Sequence, residues 1–144
     1  MTRRFALNFL AYLVPTFILG FVWHLVLFAS YYRDLGIYRP DVIVPFGFLA
    51  MVVQGAVFAA IYPRLVASPE AVASGLRFGA VAAVLSWSFT TLAVAAKHPM
   101  ASVPRFLIIE TAFTVVQFSL VGVFLALGSR AAAVVRNPAV RPAA

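Results

Sequence analysis

Four long apolar runs, roughly Phe5–Ser30, Val42–Tyr62, Gly75–Ala96 and Phe106–Gly128, alternate with short stretches that hold most of the charge. Each run reaches the ~20 residues that a helix needs to cross about 30 Å of hydrocarbon. The pattern predicts an all-α, four-helix transmembrane bundle running up-down-up-down. Residues 1–130 form the membrane domain, and 131–144, rich in Ala, Arg and Pro, form a flexible basic cytoplasmic tail.

The punctuation between runs supports these boundaries. Gly36 and Pro40 stop any helix continuing from the first run. Three tyrosines in the stretch Tyr31–Asp41 suit a membrane interface, where an apolar ring with a wet hydroxyl is at home. Ser68-Pro69-Glu70 reads as a helix start: an N-cap, a proline at the first helical position and an acid in the first turn. Ser102 and Pro104 open the fourth helix in the same manner. The first run follows Arg3 and Arg4 as a signal peptide would. At about 26 residues it exceeds a signal h-region, and it reads as an uncleaved first helix. A straight helix of that length spans ~39 Å, so tilt or a bend at Pro15 is expected.

Orientation follows from the cations. With the N-terminus in the cytoplasm, that side holds Arg3, Arg4, Arg64, Arg77, Arg130, Arg136 and Arg141. The other holds Arg33, Arg39, Lys97 and Arg105. Seven against four places both termini in the cytoplasm by the positive-inside rule. The expected location is a bacterial inner or plasma membrane.

Composition sharpens this reading. The 144 residues are 64% hydrophobic and 10% charged, which leaves no length for a soluble catalytic domain. The net charge of +7 does not indicate nucleic acid, because the cations lie singly or in pairs at helix ends with no basic patch interleaved with aromatics. Cysteine is absent, which excludes disulfides, thiolate metal sites and cysteine nucleophiles. Two histidines and four acids, scattered, make no metal site, and no cofactor motif occurs.

Small residues recur at helical spacing. Gly20, Gly47, Gly55, Gly75, Gly79 and Gly122 are the candidates for close helix packing, which in lipid is favoured where backbones can approach. Such stripes support a packed bundle or a homodimer.

Polar groups within the runs are the candidate site. Glu110 lies about six residues into the fourth run, roughly 9 Å below its outer end. A carboxylate there is costly in lipid and should face the protein interior or water. Thr114 and Gln117 continue its face. His24 falls at nearly the same depth and ends a row spaced by four: Asn8, Tyr12, Thr16, Gly20, His24. This row winds as a spiral ridge. Two layers result, an outer one of His24, Thr90 and Glu110 and a middle one of Gln54, Ser86 and Gln117. Glu110 and His24 are expected to pair, each lowering the other's desolvation cost. Trp23 and Trp87 read as packing or interface anchors, and His98 as a solvated loop residue.

Leu7-Asn8-Phe9-Leu10-Ala11, Leu19-Gly20-Phe21-Val22-Trp23-His24, Leu27-Phe28 and Leu35-Gly36 together resemble the start of the small integral membrane family called domain of unknown function 1761. Gly75 and Gly79, with Trp87 following, resemble that family's opening of helix three. His24 stands where the family usually has Tyr, and the stretch after Phe28 lacks the usual Gly. The resemblance implies a four-helix membrane protein and carries no activity.

The functional expectation is a non-enzymatic accessory, structural or homo-oligomeric membrane component. Its partners are the lipid bilayer and a second copy or another membrane protein. The alternative is a small proton-coupled or cation or small-molecule transporter using Glu110 and His24, with Thr90, Gln54, Gln117 and Thr114 as further ligand candidates. A membrane enzyme ranks third, since no nucleophile or electrophile completes a His–Glu pair.

Overall fold

The computed structural model of the chain describes residues 2–136. Among them the fold is all-α. The order is α1 (Arg3–Phe21), a π-helical turn (Val22–Leu27), α2 (Ala29–Leu35), α3 (Val44–Leu65), α4 (Val72–Trp87), a second π-helical turn (Ser88–Leu92), α5 (Ala93–Lys97) and α6 (Val103–Arg136). Four continuous helical stretches are long and apolar enough to cross a membrane: Arg3–Leu27, Val44–Leu65, Val72–Lys97 and Val103–Val134.

Several boundaries move from their expected places. Thr2 caps α1, its side chain accepting from the Phe5 N–H at 3.4 Å, so the helix takes in Arg3 and Arg4. Pro15 lies inside α1, and the hydrogen-bond register changes at the π turn that follows it. Phe28 then leaves helical geometry (φ −114°, ψ 19°) and α2 begins. Gly36 ends α2 in the left-handed region at φ 72°, where a side chain would be strained. The fourth helical stretch continues through Gly128 to Arg136, so the tail expected from 131 is helical this far; the remainder, 137–144 with Arg141, lies outside the described residues. At ~1.5 Å per residue its 34 residues reach about 50 Å.

Ser68-Pro69-Glu70 does not open a helix. The Ala71 N–H donates to the Ser68 carbonyl at 3.1 Å, closing a turn, and α4 starts at Val72 without a side-chain cap. The competing attraction is Tyr62, whose hydroxyl donates to the Pro69 carbonyl at 2.7 Å and draws that residue into the bundle. Ser102 does cap α6: its carbonyl accepts from the Phe106 N–H at 3.2 Å and its hydroxyl from the Arg105 N–H at 3.4 Å.

Helix α6 is the centre of the bundle, packed between α1 and α4, while α3 lies against α1. Small residues make the closest contacts. A Cβ on Gly75 would stand 2.1 Å from the Gly122 carbonyl oxygen, and one on Gly79 2.4 Å from that of Phe118. Gly55 receives the Tyr12 ring, and Gly20 receives Met51. Gly47 corrects the packing expectation: no atom lies within 4 Å of its missing side chain, and it borders an open cavity.

The row Asn8, Tyr12, Thr16 and Gly20 is buried throughout. It winds without surfacing because α1 has neighbours on two sides. Asn8 meets Ser129 of α6, whereas Tyr12 and Gly20 meet Gln54, Gly55 and Met51 of α3. Two apolar clusters complete the packing. One centres on Tyr12, Tyr62, Phe118 and Leu125; the other joins Tyr32 and Leu35 of α2 to Phe106 and Ile109 of α6.

Candidate functional site

The second cluster surrounds Glu110. Its position follows from three local features. The π turn in the first stretch carries His24 beside α6, the second π turn carries Thr90, and α2 lays Tyr32 over the start of α6. Such π turns widen a helix by one residue per turn and recur at functional sites. The α2 end is fastened there by the Ala101 N–H, which donates to the Leu35 carbonyl at 2.9 Å.

The Tyr32 hydroxyl donates to Glu110 Oε1 at 2.6 Å. His24 Nε2 lies 3.6 Å from the same oxygen, an ion-pair distance longer than a hydrogen bond. The structure thus brings the two sequence-paired residues together, with side chains 20% and 13% exposed. His24 Nδ1 lies 2.9 Å from the Gly20 carbonyl. A carbonyl can only accept, so Nδ1 carries a hydrogen and a neutral ring would present its Nε2 lone pair to Glu110. Lone pair facing carboxylate is repulsive. The approach is favourable only with a proton held between the two groups, on nitrogen or on oxygen.

Glu110 Oε2 has no hydrogen-bond partner among the described residues. The residue borders a cleft of about 230 Å³ shared with His24, Tyr38, Thr90, His98 and Phe106. Tyr38 stacks flat on Tyr32, ring centroids 4.8 Å apart. Burial first, and then the negative charge of Glu110, hold both phenols well above the ordinary tyrosine range.

The remaining candidates divide. Thr90 lines the cleft, but its hydroxyl donates to the Ser86 carbonyl at 2.9 Å. Thr114 is buried one turn along α6. The middle residues border two different cavities. The Gln54 side-chain Oε1 accepts from the Tyr12 hydroxyl, and Gln54 and Ser86 share a cavity of about 690 Å³ between α3 and α4. Gln117 faces a different cavity, toward His24. Trp87 donates to the Thr111 hydroxyl at 2.9 Å and Trp23 packs 5.7 Å from Phe113, so both hold their helices to α6.

Sequence reasoning missed Tyr32 and Tyr38. Both read as interface residues of a linker, whereas His98 is exposed as expected and borders the cleft. An available signal was the short spacing between the first run and Gly36, which forces the intervening residues back onto the bundle. Among the described residues no three His, Asp or Glu side chains group to hold a metal.

No family model matches the chain, and neither a curated protein nor a solved structure matches it.

Proposed function

We propose that the chain is a four-span integral membrane protein without enzymatic activity, an accessory or self-associating component of its membrane. Its helices cross up-down-up-down with both termini cytoplasmic. Supporting the crossing pattern, residue 8 meets 129 at one end of the bundle and residue 24 meets 110 at the other. The kinship with the domain of unknown function 1761 family belongs to the same proposal; it rests on Asn8, Gly20, Trp23 and Leu35-Gly36 and bears on architecture alone.

One observation carries the non-enzymatic reading. Several polar side chains at membrane depth join helices: Tyr12 with Gln54, Asn8 with Ser129, Trp87 with Thr111, Tyr32 and His24 with Glu110. Such bonds contribute about 0.6–2 kcal/mol each in membranes. They fix helix positions, and none of these side chains is an activated nucleophile.

A second reading, a proton-coupled carrier, is favoured by the free Glu110 Oε2 beside the cleft. Glu110→Gln and Glu110→Leu distinguish the two. In the first reading Glu110→Leu lowers the melting temperature in detergent, Glu110→Gln lowers it less, and proteoliposomes of either variant show the proton flux of the parent. A pH-driven flux in the parent that disappears in a folded Glu110→Gln variant would establish the carrier instead.

A further inference from the structure

Across His24 from the Glu110 cleft lies a larger cavity of about 540 Å³, bounded by α1, α3, α6 and the connection between α2 and α3. Its walls are mainly apolar, including Phe21 of α1 with Phe48 and Met51 of α3. Gly47 opens it further, with no atom within 4 Å of its missing side chain. This size, with apolar walls and a few polar groups, is how sites for small ligands are built.

The polar groups define the ligand. The neutral side chains of Gln117 and Tyr38 line the cavity, and neither makes a hydrogen bond among the described residues. An amide in hydrocarbon without a partner is costly, so Gln117 calls for one. Two ionisable side chains border the cavity: Arg39, 60% exposed to solvent and 3.8 Å from Asp41, and His24, whose Nδ1 and Nε2 face the Gly20 carbonyl and Glu110. The chemistry therefore asks for hydrogen bonding without charge.

We propose that this cavity binds a neutral single-chain amphiphile with a carbonyl or hydroxyl head, drawn from the bilayer. The tail lies along Phe21, Phe48 and Met51, and the head meets Gln117 and Tyr38. Isoprenoid quinones and long-chain alcohols share this chemistry. The inference rests on the four-span reading above and is independent of whether Glu110 carries protons.

The full chain, purified in detergent, is melted with a decyl-substituted benzoquinone, with decanol and with decanoate. Gly47→Leu fills open space and removes a helix glycine, so it is expected to fold; Gln117→Leu removes the amide. At least one neutral probe should raise the melting temperature of the parent, with roughly tenfold weaker apparent affinity in each variant. Stabilisation by the quinone alone identifies a ring carbonyl, and stabilisation by decanol identifies a hydroxyl. Should Gly47→Leu fail to fold, Gln117→Leu decides. Glu110→Gln is expected to keep the response, which separates this site from the proton chemistry beside it. The proposal is overturned if no neutral probe stabilises the parent, if all proteins respond alike, or if decanoate binds more tightly than both neutral probes.

Discussion

Replacing Gly75 with alanine tests what holds α4 to α6. The added Cβ would stand 2.1 Å from the Gly122 carbonyl oxygen and 2.9 Å from its carbon, both backbone atoms that cannot rotate away. Restoring an ordinary 3.4 Å contact requires the two backbones to part by roughly 1 Å. That separation loosens the neighbouring contacts of Gly79 with Phe118 as well. Overpacking of this type costs about 1–3 kcal/mol, and a wholly backbone clash belongs at the upper end or beyond. The gain in helix propensity on replacing glycine, at most about 1 kcal/mol, does not offset it. Gly47→Ala is the internal control. It gains the same propensity with nothing within 4 Å, so it should be neutral or slightly stabilising. Reversible unfolding in mixed micelles, followed by circular dichroism against denaturing detergent, measures both. Equal stability of Gly75→Ala and the parent, or an equal loss in Gly47→Ala, would refute backbone approach as the basis of the α4–α6 contact.

Further outcomes follow from individual bonds. Tyr32→Phe removes the donor to Glu110 Oε1 and should cost about 1–2 kcal/mol in the same unfolding assay. Ser129→Ala leaves the Asn8 amide, fully buried, without its 3.2 Å partner and should cost about 1 kcal/mol, whereas the double change of Asn8 and Ser129 to apolar residues should cost less than the sum. Tyr32 and Tyr38 hold their protons above the ordinary value near 10.0. The unfolded phenols release theirs first, so stability is intact below that pH and falls as pH climbs past it. Melting curves taken across alkaline pH measure the fall, and Tyr38→Phe should flatten part of it.

Much of this molecule was legible in its pattern. The four apolar runs became four helices of membrane-crossing length, because hydrocarbon thickness and the need to satisfy backbone hydrogen bonds leave little else for such runs to do. His24 and Glu110 could be matched in depth by counting residues from the run ends. The small residues could be matched with close packing, since only glycine and alanine permit it. Gly47 fits that pattern in sequence and not in space, for spacing along one helix does not say which faces meet a neighbour.

Tertiary structure alone decided the rest. Gln54 and Gln117 line different cavities, one between α3 and α4 and the other bounded by α1, α3 and α6, and only the packing of the helices decides which face each presents. Tyr32 reaches Glu110 only because the chain unwinds at Phe28 and returns as α2, a change of direction set by packing on Phe106 and Ile109. Ser68-Pro69-Glu70 has the residues of a helix start, yet the Tyr62 hydroxyl claims the Pro69 carbonyl and delays the helix to Val72. Periodicity and composition state what each segment requires of its solvent. Only the assembled bundle states which segment meets that requirement for another.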